Sequence, residues 1–163
     1  MIERIAQSDD RLLAIQFFLF FSRFEYALKS LNRIKVGNSS FPAADWDGYA
    51  RCRQSVWLKA LENQEFLEAF AFLNAAPPGQ QSFSNGELKW SPNSRQAEPA
   101  SLAKTFFYVR TVRNNLFHGS KLDSAKRSEM SRDRDLLQHC ITILSVCLDG
   151  DKELREQFLE GLD

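Results

Sequence analysis

Arg113, Asn114 and His118 have the types and spacing to do chemistry. An imidazole exchanges protons near neutral pH, and a guanidinium keeps its charge at any ordinary pH. Both fall in the run from Ser101 to Gly119, whose apolar residues recur at helical spacing. On a helix of about 100° per residue, Leu102, Phe106, Val109 and Leu116 lie within a sector of roughly 80°, the width of a core-facing stripe. Arg113 stands in the middle of that stripe. Buried without a partner it would cost on the order of several kcal/mol, so it must meet an acid, a polar cavity or a second subunit.

His118 lies about 140° from Arg113 on the same helix and shares a face with Phe107 and Asn114. Gly119 follows it and reads as the left-handed residue of a helix C-cap, which places His118 in the last turn, where the helix dipole favours an imidazolium. The helix end is therefore suited to acid-base work. Plainer readings exist for the same residues: His118 as a cap on the last carbonyls, Arg113 as a snorkelling or core-paired cation. Glu25, flanked by Phe21 and Leu28, is a candidate partner for Arg113, or else an exposed carboxylate pairing with Lys29.

The run Arg113-Asn114-Asn115-Leu116-Phe117-His118 resembles the motif of the HEPN family, an Arg and a His separated by four to six residues with a polar residue after the Arg. Arg134 and His139 repeat the spacing, but within the interior of the next helix and with no terminating Gly, so they read as a decoy. The resemblance implies an all-α protein, an up-and-down bundle of four to five helices. It also implies a metal-independent ribonuclease that works as a homodimer, two copies of the motif meeting in one composite site. His118 would be its general acid or base, Arg113 its phosphate and transition-state contact, and Asn114 the group that orients His118 or the scissile phosphate. No cofactor is implied. The products would be a 2′,3′-cyclic phosphate and a 5′-hydroxyl. Arg110 and Lys121 are the nearest candidates for RNA backbone contacts, or simply solvated charges. Members of the family act as toxins or phage-defence effectors, some with a nucleotidyltransferase antitoxin as partner. Ser120 stands where a subset of the toxins has a Tyr that is adenylylated, so regulation of that kind is not expected.

A chain of 163 residues with 44% hydrophobic content suits one domain with a sizeable core. Lys plus Arg and Asp plus Glu number 21 each, so no net charge draws nucleic acid to the protein and any RNA contact must come from a local patch. Cys52, Cys140 and Cys147 lack metal-site spacing and read as core thiols of a cytoplasmic protein. The apolar run Leu12 to Phe21 is far shorter than the roughly 20 residues that span a bilayer, and the acidic Asp9-Asp10 before it is unlike a signal peptide.

The elements that would hold the motif follow from periodicity and punctuation. A long first helix is expected from about Asp9, capped from Ser8 to Asp10, to Lys35. One of its stripes is Leu13, Phe17, Phe20, Phe24, Ala27 or Leu28, Leu31 and Ile34, and a second carries Leu12, Ile15, Leu19 and Tyr26. Asp45 caps a second helix with Trp46, Tyr49, Val56, Trp57 and Leu61, broken near Asn63. Phe66 to Leu73 either extends it with a kink or forms a separate helix. Residues 76–100 are a Pro-, Gly- and Ser-rich insertion in which Asn85-Gly86 signals a small β-hairpin, long enough to shape a substrate groove. After the motif come a helix from about Glu129 to Leu148 and a short one from Leu154 to Leu162. No zinc, Walker or Rossmann spacing occurs, so no metal site is expected. A different function class fits the same helices: a non-catalytic HEPN scaffold in which Arg113 and His118 hold a dimer or partner interface. A nucleotide-binding module ranks behind both, for want of a phosphate-cradling loop.

Overall fold

The computed structural model describes residues 9–36, 41–117 and 127–161. Within them the chain is mostly helical, with two short antiparallel strand pairs. The first helix, α1 (Asp9–Ser30), is followed by β1 (Ile34–Lys35) and β2 (Ala43–Ala44), which pair with each other. Three short helices come next, α2 (Trp46–Cys52), α3 (Gln54–Ala60) and α4 (Gln64–Ala75). The hairpin β3 (Gln80–Ser84) and β4 (Glu87–Ser91) precedes α5 (Leu102–Phe117), α6 (Arg127–Gly150) and α7 (Lys152–Leu159).

Helix α1 stops five residues before the expected Lys35. Asn32 takes a left-handed conformation with φ 56°, its N–H donates to the Lys29 carbonyl and the Arg33 N–H donates to that of Leu28. This is the Schellman arrangement, with Asn in the position Gly usually fills. It frees Ile34 and Lys35 to form β1.

The middle of the chain divides where polar side chains cap. Asp45 Oδ1 accepts from the Gly48 N–H at 2.9 Å to start α2, and Asn63 Oδ1 accepts from the Phe66 N–H at 2.9 Å to start α4. Asn63 thus opens a separate helix rather than kinking one. A further break at Arg53 separates α2 from α3, so seven helices stand among the described residues where four to five were expected.

Helix α6 packs against α1, α3 and α4, α1 also meets α7, and α2 lies on α5. Where α1, α2 and α5 meet, the Phe24 ring stacks on Trp46 at 5.1 Å and 3°, and both rings abut Phe106 of α5. Such contacts add about 0.5–1.5 kcal/mol per pair beyond area burial, and they fix the angle at which α5 leaves the core. Phe21, outside the expected stripe, is buried here too. The second stripe, Leu12, Ile15, Leu19 and Tyr26, is exposed. Cys140 and Cys147 are core thiols as expected, but Cys52 is exposed, because it ends α2 on the side away from the core. No helix among the described residues is long and apolar enough to cross a membrane.

At the far end, Asp151 is a buried junction. Its Oδ1 accepts from the Leu154 N–H at 3.2 Å, starting α7. Its Oδ2 receives the Tyr49 hydroxyl at 3.0 Å and lies 2.9 Å from Arg53 Nε.

Candidate functional site

Ser101 starts α5, its Oγ accepting from the Lys104 N–H at 3.2 Å. Leu102, Phe106 and Val109 are buried as the stripe requires, and Leu116 is half-buried. The helix also has a second buried face that the stripe does not reveal, made of Lys104, Thr105, Tyr108, Thr111, Val112 and Asn115. Thr105 and Thr111 satisfy their hydroxyls on carbonyls one turn back, those of Ser101 and Phe107. Segment 76–100 covers the rest. Lys104 is only 6% exposed, and its ammonium donates to the carbonyls of Gln96 at 3.0 Å and Glu98 at 2.6 Å. Arg95 ties the same loop to α2 through Asp47 at 3.2 Å and lies over the Phe107 ring. Tyr108 is buried below it, and burial, then the nearby Glu98, pushes its hydroxyl pKa up.

The base of the hairpin is anchored to α5 and α6. Asn115 Nδ2 donates to the Gly79 carbonyl at 2.9 Å, Asn93 Nδ2 to that of Pro78 at 3.0 Å, and Arg132 reaches those of Ala76 and Pro77. Asn85 and Gly86 both have positive φ, 53° and 79°, the backbone of a type I′ turn, and the strands pair from Gln80 with Ser91 to Ser84 with Glu87. The insertion is therefore a braced ribbon lying beside the motif helix.

Between ribbon and helix lies an open cleft of about 290 Å³, walled by residues 80–83 of β3 and by Thr111, Asn114 and Asn115 of α5. Asn114 belongs to the sequence motif. Its Oδ1 accepts from Arg113 Nη1 at 3.0 Å, which fixes the amide so that Nδ2 is presented as a donor. Arg113 is half-buried, with its guanidinium carbon 5.4 Å from the centroid of the Phe21 ring. Glu25, read from sequence either as its acid partner or as an exposed carboxylate pairing with Lys29, accepts from Trp46 Nε1 at 3.2 Å, because Trp46, brought by α2 onto the aromatic cluster, needs an acceptor for its indole N–H.

Arg110 is half-buried on α5. His118, Gly119, Ser120 and Lys121 lie outside the described residues, so the described half of the motif is Arg113 and Asn114. His139 of the decoy pair packs on Phe72, ring centroids 4.4 Å apart. Gln80, Gln81, Phe83, Thr111 and Asn115 escaped sequence reasoning as site residues; the length and composition of the insertion were the only signal. Among the described residues no three or more His, Cys, Asp or Glu side chains gather to hold a metal ion. Comparison with protein-family models, curated proteins and solved structures found no significant match.

Proposed function

We propose that the chain is a metal-independent endoribonuclease of HEPN type, active as a homodimer in the cytoplasm, with α1 and α4 to α6 as its bundle. The observation that carries this reading is the pairing of Arg113 with Asn114 at the rim of the cleft. A fixed cation and an oriented amide donor stand where a phosphodiester strand can reach both. In the reaction a 2′-oxygen attacks the adjacent phosphorus and its proton passes to His118. The bond from phosphorus to O5′ breaks, and that oxygen takes a proton from His118 of the partner subunit. Arg113 steadies the charge on the phosphorane oxygens and Asn114 orients the phosphate or the imidazole. Arg110 and Lys121 hold flanking phosphates. Biologically the reading is that of a toxin or phage-defence effector.

The test is cleavage of single-stranded RNA by purified protein with and without EDTA, followed by analysis of the product ends. The expected outcome is chelator-resistant cleavage leaving a 2′,3′-cyclic phosphate and a 5′-hydroxyl. A strict need for Mg²⁺ or Mn²⁺ overturns the mechanism.

Along α1, Leu12, Ile15, Leu19 and Tyr26 form an exposed apolar strip, a surface suited to a second copy of the chain, as the composite site needs, or to a different protein partner, as the scaffold reading has it. In that case His118→Ala changes assembly and leaves RNA intact.

A further inference from the structure

We infer that the cleft between β3 and α5 is a subsite for one nucleobase of a single-stranded RNA, the base next to the phosphate held by Arg113. The inference rests on the ribonuclease reading for its RNA strand, but its own grounds are the make-up and position of the cleft. Six of its seven lining residues carry neutral amide or hydroxyl groups, and the seventh is Phe83. No ionisable side chain lines it, so a phosphate would find no countercharge there, whereas the edge of a base finds both donors and acceptors. Its volume of about 290 Å³ falls at the lower limit of the ~300–1,000 Å³ typical of pockets that enclose drug-sized molecules, which suits a single planar group.

The polar groups are held in place before any ligand arrives. Gln80 Oε1 accepts from the Ser94 N–H at 2.8 Å, which leaves its Nε2 as a donor. Asn114 likewise presents Nδ2, because its oxygen is taken by Arg113. Asn115 is the converse: Nδ2 is spent on the Gly79 carbonyl, so Oδ1 remains as an acceptor. Asn and Gln amides are the side chains that pair with base edges, and amides fixed by other bonds lose little freedom when they do so. Phe83 is 73% exposed at the cleft wall. An exposed aromatic ring beside a set of amides is how proteins hold unstacked RNA bases, by stacking on the ring and pairing along the edge. The cleft begins at Asn114, in direct contact with Arg113, so a strand whose phosphate meets Arg113 brings an adjoining base to it.

The experiment measures binding by the wild-type dimer of a labelled short RNA, 2′-O-methylated so that it cannot be cut, and of the same strand with abasic positions. Phe83→Ala is the variant, since its exposed side chain leaves folding unchanged. The expected result is at least about fivefold weaker binding of the intact strand by Phe83→Ala, with the abasic strand equally weak and indifferent to the substitution. Equal binding of both strands by both proteins overturns the subsite, as does failure of the wild-type protein to bind the RNA. Displacement of the strand by micromolar nucleoside monophosphate overturns the choice of a strand over a free nucleotide. Cleavage of unmodified RNA separates the two readings. Base-dependent, Phe83-dependent binding without cleavage keeps the subsite and removes the nuclease, while normal cleavage and binding by Phe83→Ala removes the subsite and keeps the nuclease.

Discussion

Arg113 lies over the face of Phe21, its guanidinium carbon 5.4 Å from the ring centroid, so the cation of the motif helix rests on the edge of the aromatic core of α1. The ring holds the guanidinium through its quadrupole while one nitrogen reaches Asn114. Glu25 of α1 accepts from the indole N–H of Trp46.

Removing this cation should therefore silence cleavage. Arg113→Ala is expected to abolish activity at a stability cost of about 1–2 kcal/mol, the scale of a partly desolvated cation–π contact. Glu25→Gln should cost less than about 1 kcal/mol and leave activity near wild type, since the amide oxygen still accepts from the indole. Urea unfolding and a cleavage assay on both variants check this. A loss of more than about 4 kcal/mol in Arg113→Ala would point to a buried ion pair instead.

His118 and His139 have the same spacing from an arginine but different expected roles. His118→Ala should lower cleavage by about 10²- to 10⁴-fold with little change in folding. His139→Ala, which removes the contact with Phe72, should cut RNA normally. An active His118→Ala protein ends the catalytic proposal.

The exposed strip on α1 gives a prediction about assembly. Leu19 is 60% exposed and Leu12 50%, so a double change to Glu should leave the fold intact. It should convert a dimer to a monomer and, with a composite site, lower cleavage in proportion to the monomer fraction. Sedimentation and cleavage measured on the same sample test this. A wild-type protein that sediments as a monomer at micromolar concentration would count against the composite site.

Stability should fall on the alkaline side. Burial pushes the thiols of Cys140 and Cys147 up, and burial together with Asp151 pushes the Tyr49 hydroxyl well above its ordinary range. The unfolded chain releases these protons near pH ~8.5 for Cys and ~10 for Tyr, while the folded protein still holds them. Because the folded state then binds more protons, the stabilisation is complete below the unfolded pKa values and is lost as pH rises above them. The slope is about 1.4 kcal/mol per pH unit for each group. Urea midpoints should hold between about pH 7 and 8 and fall steadily above about pH 9. A midpoint that stays level to about pH 11 would mean that these groups are solvated in the folded protein.

Some of the structure is written in short stretches of sequence. The caps at Asp45 and Asn63 and the turn at Asn85-Gly86 need only a side chain and a backbone group within a few residues, so residue type and position declare them. The core stripe of α5 is equally legible, because a helix carries its period along its own length. Other features depend on residues far apart in the chain. Ser30 ends α1 through Asn32, a weaker left-handed signal than a Gly, five residues before the expected Lys35. Glu25 goes to Trp46 because α2 folds onto α1. The second buried face of α5 looks polar in sequence, since Lys104, Thr105, Thr111 and Asn115 spend their hydrogen bonds on backbone carbonyls, those of Lys104 and Asn115 being supplied by residues 76–100. The motif named Arg113 and Asn114; the cleft beside them exists only because that segment returns as a ribbon, and no local pattern encodes where a ribbon will lie.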